Sequence, residues 1–173
     1  MTDAAGACNT GRMVDRDSYR AAMARLGAAV NVIATDGPGG RRGFTASAVC
    51  SVTDAPPTLL VCCNRTHDTH LALVTNRVMS VNTLAFAQAE VSDVFARSPN
   101  GTERFATGVW RTLATGAPVL EGAAVAFYCR IVHVHDVGTH SVFFGEVEAV
   151  RLGDAADGLI YFARAYHPVG RPG

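Results

Sequence analysis

Between Gly43 and Thr53 the chain reads with a period of two as a strand whose faces differ in chemistry. Phe44, Ala46, Ala48, Cys50 and Val52 fall on one face, Thr45, Ser47, Ser51 and Thr53 on the other, with Val49 the only apolar interruption of the second. A strand that merely faced water would carry Lys, Glu or Arg there. Small hydroxyls instead let a flat ligand approach the backbone, and its ring nitrogens and carbonyls can then bond the hydroxyls and free N–H groups. Hydroxyls that pair across a sheet give the same composition, so the pattern alone leaves both readings open.

A second polar group, Asn64-Arg65-Thr66-His67-Asp68-Thr69-His70, stands where an apolar strand gives way to a helix. Free N–H groups and the positive end of the dipole suit a phosphate there, with Arg65, Thr66 and Thr69 as donors. A capped helix without a ligand accounts equally for one Thr and for Asp68. His133 and His135 share a strand face at H-x-H spacing, a weak metal pattern because only Asp136 is near enough to add a ligand. His140 differs, since it follows the Gly138 turn, and loops at a barrel mouth hold ligand-contacting residues. Arg164-Ala165-Tyr166-His167 either caps a pocket or anchors the terminus.

The elements that must position these groups are mostly strands. Residues 1–14 read as a disordered tail, 15–167 as one domain and 168–173 as a frayed end. Asp17 can cap a helix from Ser18 to Gly27, with Tyr19, Met23 and Leu26 packing on a barrel. Strands follow at Val30 to Thr35, Gly43 to Thr53, Thr58 to Cys63 and Arg77 to Leu84. Helices are expected at His67 to Thr75 and Gln88 to Ala96, with a helical turn near Glu103 to Ala106. Two long strands, Ala123 to Asp136 and Thr139 to Leu152, meet at Val137-Gly138, and Leu159 to Phe162 closes the series. Asp36-Gly37-Pro38-Gly39-Gly40 is a turn rather than a phosphate loop, because no Lys-Ser/Thr and no helix follow. Strands at short spacing without repeated strand-helix-strand units imply an antiparallel barrel with a few peripheral helices.

Composition excludes several classes. Apolar residues make up 49% and charged residues 17%, which points to a large core or a subunit interface and hence to a homo-oligomer. Basic and acidic residues balance at 15 each and are scattered, so no nucleic-acid footprint exists. Five cysteines without C-x-x-C spacing suggest free thiols in a reducing cytoplasm. Glu121 and Arg130 interrupt the longest apolar run, and no membrane span is expected.

From about Tyr19 to His167 the sequence resembles the small flavin reductases that serve two-component monooxygenases. The resemblance rests on Gly43 to Thr53 followed by Pro56-Pro57, then on Asn64-Arg65-Thr66, Ser80-Val81-Asn82-Thr83-Leu84, Arg104-Phe105, Gly138-Thr139-His140 and Arg164-Ala165-Tyr166. It implies a mainly β fold, a split antiparallel Greek-key barrel that binds FMN or FAD near a homodimer interface. It further implies that Thr45, Ala46, Ser47, Ser51, Val52 and Thr53 line the isoalloxazine ring. Asn64, Arg65, Thr66 and Thr69 are implied to hold the ribityl chain and phosphate, and Asn82, Thr83, Leu84, Phe105 and Tyr166 to surround the ring. His140 resembles the histidine of a Gly-Asp-His motif associated with nicotinamide binding and hydride transfer, although Thr139 replaces the Asp. Asp68 is a second departure, because a carboxylate beside a phosphate is repulsive unless it turns away. The activity implied is hydride transfer from NADH or NADPH to a diffusible flavin that serves a separate oxygenase. A flavin-binding sensor or carrier without turnover is the alternative.

Overall fold

The computed structural model describes residues 13–98, 101–112, 115–155 and 157–170. The expected N-terminal tail, except for residues 13 and 14, lies outside the described residues, as do 99–100 of the expected turn and 171–173 of the expected frayed end. Seven antiparallel strands form the main sheet, in the order β3(Arg42–Ala46), β2(Asn31–Thr35), β6(Val78–Thr83), β9(Val125–Val137), β10(His140–Leu152), β5(Pro57–Asn64), β4(Val49–Asp54). Its two edge strands are consecutive in the chain, separated only by Ser47 and Ala48. Were the sheet flat, its edges would lie about 29 Å apart, far beyond the reach of a two-residue link. The sheet therefore curls round until the end of β3 and the start of β4 lie within reach of that link, and the Cys62 amide, donating to the Ala48 carbonyl at 3.1 Å, carries the β4–β5 pairing into the corner. This is the split barrel.

The expected single strand from 43 to 53 is thus two strands on opposite edges, and the side-chain alternation changes sense at the corner. Phe44 and Ala46 face the core before the corner. Beyond it Val49 packs on the same core, and Cys50 pairs with outward-facing Leu60. An irregularity between Ser51 and Thr53 bends β4 further.

Two larger cores result from the alternation of the strands, beside a small cluster of Val119, Ala126 and Tyr128. Inside the barrel Ile33, Val61, Met79, Val81, Ile131 and Phe143 are essentially inaccessible. On the far side of β2, Val32 packs with Leu84, Leu120, Leu159 and Phe95 of α3(Ala89–Arg97). Gly145 lets β10 cross the interior, since a Cβ there would lie 2.5 Å from Met79 Cε and 2.9 Å from Cys129 Cβ. Cys63 points inward and Cys62 outward, as their adjacency on a strand requires.

Helix α1(Arg16–Met23) begins two residues earlier than expected, because Asp15 and not Asp17 accepts from the amides of Asp17 and Ser18. It has no buried residue. The expected packing of Tyr19, Met23 and Leu26 on the barrel is not found: they are 55%, 44% and 63% exposed. A second small sheet joins β1(Ala28–Ala29), β11(Asp157–Phe162) and β12(Ala165–Gly170). Here Pro168 pairs with Leu159, so the chain is ordered through the start of the expected frayed end. A short hairpin, β7(Trp110–Thr112) with β8(Pro118–Leu120), was not anticipated.

Candidate functional site

The corner at Ser47 and Ala48 leads directly to the other groups. From Cys62, bonded to Ala48, strand β5 runs two residues to Asn64, where the polar segment begins. Asn64 Oδ1 accepts from the Thr66 amide at 2.9 Å and from its hydroxyl at 3.0 Å, folding the segment into a tight turn. α2(Asp68–Asn76) follows, capped by His67, whose Nδ1 accepts from the Thr69 amide at 3.2 Å. Burial pushes the His67 pKa below its ordinary value, which keeps the ring neutral and able to accept.

Strand pairing brings in the hairpin turn. His140 is the register partner of Asn64, so the two side chains stand on one face at the same end of the barrel. Backbone and side chains fasten this junction: the Arg65 amide donates to the Thr139 carbonyl at 3.0 Å, and Arg65 Nη1 meets Asp136 at 3.2 Å. Behind it the buried Ser141 hydroxyl donates to Asp136 at 2.6 Å and contacts His70 Nε2 at 2.8 Å. The Ser141 bond, helped by Arg65, holds the Asp136 carboxyl below its usual range. The Thr139 hydroxyl lies 2.9 Å from His140 Nδ1, a neutral partner for the imidazole. His133 and His135 stack at 6.5 Å on the outer face, and no cluster of three metal-ligating side chains exists among the described residues.

Asp68 does not confront the turn as a free charge. It accepts from Arg104 Nη1 at 3.2 Å and lies 4.0 Å from Arg42 Nε. Arg104 is only 4% exposed and also donates to the carbonyls of Gly43 and Ser98, so one guanidinium ties α2 to the base of β3. Asp68 is therefore a structural anchor, and His67 rather than Asp68 caps the helix.

Two clefts flank the corner. The larger, about 870 Å³, lies between α1 and the barrel and is lined by Ser47, Ala48, Cys50, Cys62 and Thr83 among others. A second, about 530 Å³, is lined by Thr45, Ser47, Ser92, Arg164 and Tyr166. Its walls are bonded together: the Thr45 hydroxyl donates to the Ser92 carbonyl at 2.7 Å, and the Tyr166 phenol lies 2.8 Å from Ser92 Oγ and 3.2 Å from Asp93. Burial raises the Tyr166 pKa, so the phenol stays protonated.

Of the predicted site residues, Thr45, Ala46 and Ser47 meet at the corner, while Asn64, Arg65 and Thr66 form the adjoining turn beside His140. Ser51, Val52 and Thr53 run away from the corner along exposed β4 and line neither cleft. The side chains of Asn82 and Leu84 are fully enclosed, Asn82 donating to Val32 and accepting from the Leu120 amide. Thr69 is enclosed as well. Phe105 sits in a cluster with Phe95 and Trp110, covered by Arg41 at 5.6 Å. Unpredicted residues complete the frame. Asn31 donates to the Ala46 carbonyl at 3.3 Å and accepts from Thr83 at 2.7 Å, fixing the last residue of β3.

A split barrel with a small-residue corner, a donor-rich turn and a histidine beside it defines a class of flavin-binding proteins, and the chain belongs to the flavin reductase like domain family, which it matches over residues 23–170. It is 57% identical over 156 residues to the FMN reductase (NADH) RutF of Ancylobacter novellus, spanning 90% of this chain and 86% of that protein. In structure it is similar to BorF, the flavin reductase component of a bacterial two-component tryptophan halogenase (TM-score 0.84, 28% identity, 91% and 100% of the two chains). It is also similar to the NADH:FAD oxidoreductase SgcE6 of Streptomyces globisporus (TM-score 0.85, 26% identity, 94% and 100%).

Proposed function

We propose that this flavin reductase oxidises NADH, reduces FMN at the Ser47-Ala48 corner, and releases the reduced flavin to a separate oxygenase component. The observation that carries the site assignment is the register of His140 with Asn64, which puts the histidine beside the turn that continues from the corner. The residues present fit the group. Ser47 and Ala48 are small and exposed, the cleft beside them has the volume of a cofactor site, and the Thr66 turn offers N–H and hydroxyl donors beside the Arg65 guanidinium.

When bound, the flavin accepts a hydride from the nicotinamide, and both reacting atoms belong to the ligands. The protein's work is alignment. Backbone groups of Thr45 to Ala48 bond the ring edge, Asn64, Arg65 and Thr66 hold the ribityl phosphate, and His140 positions the dinucleotide. The Thr139 hydroxyl beside Nδ1 orients the imidazole. Because Asn82, Leu84 and Thr69 are enclosed, they serve by shaping the wall, and Thr83, which lines the larger cleft, is the member of that strand able to touch a ligand.

A homodimer completes the site. Leu60, Cys62, Val142 and Phe144 form a half-buried apolar face on the outside of β5 and β10, continuous with the cleft through Leu60 and Cys62. A second copy on this face would cover that apolar surface beside the cleft. The decisive assay follows NADH absorbance after mixing protein, NADH and FMN, with FAD and NADPH as comparison substrates. Flavin-dependent loss of absorbance is expected. Flavin binding without NADH oxidation under any pairing would instead mark a binding module.

A further inference from the structure

The larger cleft is electrostatically one-sided. Among the described residues Arg20 and Arg164 are the only charged ones lining it, with no Asp or Glu in the lining. Among the described residues neither guanidinium has an ion pair or hydrogen bond, whereas seven other arginines are paired with carboxylates. Arg164 is also held at a conformational cost. It and Ala163 form the β11–β12 turn with φ of 65° and 49°, a left-handed pair that normally calls for Gly or Asn. The Ala163 amide donates to the Ala24 carbonyl at 2.7 Å, which fastens this turn to the end of α1, one helical turn beyond Arg20. The backbone segments that carry the two arginines are thereby tied together beside one cleft, whose lining also includes Tyr19 and Tyr161; Arg164 lines the second cleft as well. None of Asn64, Arg65 or Thr66 lines it, so this is a second place for anionic charge, separate from the turn that would hold the flavin phosphate.

We propose that this cleft receives the adenosine diphosphate part of a dinucleotide, its pyrophosphate held by Arg20 and Arg164 and its adenine against a tyrosine face. The inference rests on the reductase reading for which dinucleotides reach it. NADH and FAD both carry the moiety; reduced nicotinamide mononucleotide and FMN lack it.

Arg164→Gly removes the guanidinium and places at φ 65° the residue that tolerates it, so strain cannot confound the result. Ala163→Gly relaxes the same turn and keeps both cations. ADP-ribose binding by titration calorimetry is the readout independent of turnover. Arg164→Gly, and more so its combination with Arg20→Ala, is expected to weaken ADP-ribose binding by about tenfold or more, with Ala163→Gly unchanged. The same variants should raise the KM for NADH or the Kd for FAD, moving the two mononucleotides by less than about twofold, within ordinary surface-substitution effects. A shift confined to NADH assigns the cleft to the nicotinamide dinucleotide, one confined to FAD to the flavin, and each supports the proposal. It is overturned if the wild type does not bind ADP-ribose, if the double variant binds it as tightly as the wild type, or if mononucleotides weaken as much as dinucleotides. Should ADP-ribose bind through these arginines while no donor and flavin pair turns over, the reductase reading fails and the cleft assignment stands.

Discussion

His140 stands beside the Asn64 turn with its Nδ1 next to the Thr139 hydroxyl. Its replacement by Ala should therefore raise the KM for NADH or slow flavin reduction about tenfold while leaving flavin affinity nearly intact, a split that stopped-flow reduction and flavin titration will separate. Unchanged steady-state and single-turnover kinetics would remove the histidine from the mechanism. Ser141 is a different kind of residue, buried and bonded to both His70 and Asp136. Ser141→Ala leaves the half-buried His70 ring short of a partner and should cost about 1 kcal/mol in urea unfolding at neutral pH. The sign of its pH dependence follows from Asp136, whose folded pKa lies below its ordinary 3.8 chiefly through the Ser141 bond. Stabilisation from a depressed carboxylate is complete above the unfolded pKa and disappears as the pH falls through the folded one. The gap between wild type and Ser141→Ala should accordingly narrow below pH 3.8. None of this network was legible in the sequence, because a lone Ser in an apolar run and a His partner 71 residues away leave no periodic trace. Asp68 was visible as an anomaly, but its partner Arg104 lies 36 residues on and cannot be read locally.

Elements with strong periodicity were legible to within a few residues: β2, β5, both long strands and all three helices. The corner at Ser47-Ala48 was not, since neither residue breaks a strand and the break is imposed by closure of the sheet. That closure is also why the hydroxyl face seen from Thr45 to Thr53 divides, with Thr45 and Ser47 at the clefts and Ser51 and Thr53 beyond them. β12 was missed because Pro168 and Gly170 read as a chain end; on the edge of a three-stranded sheet a proline is tolerated, the outer side needing no N–H. Barrel closure also constrains β10, which carries His140 at one end and crosses the core at Gly145. Gly145→Ala would drive a methyl into Met79 and Cys129, both fully buried, and should destabilise by about 1–3 kcal/mol in denaturant midpoint. Because the strand is continuous with the His140 turn, the same variant should also raise the KM for NADH, whereas an equally destabilising change in the distant core around Leu120 should not.

At the scale of the whole molecule, the apolar surface left uncovered is not random. Tyr19, Met23 and Leu26 on one side of the larger cleft are exposed, and Leu60, Cys62, Val142 and Phe144 on the other are half-buried. A helix with no buried residue, tied to the rest of its chain at its C-terminal end by the Ala163–Ala24 bond, gains little from its own barrel, and at eight residues it is too short to persist alone. A second copy packed on the half-buried face of β5 and β10, which adjoins the cleft through Leu60 and Cys62, would also add apolar contact to this helix. The sequence foretold this excess of apolar residues without locating it. Phe144→Asp places a charge in that face, opposite His133 and away from the barrel core. If two copies associate there, sedimentation at micromolar concentration will show a dimer for the wild type and a monomer for the variant, with near-unchanged strand content by circular dichroism. Flavin affinity should fall with the dimer, because the cleft loses the wall that a second copy provides. A variant that remains dimeric would move the interface elsewhere, and one that becomes monomeric while binding flavin normally would show that each barrel holds a complete site.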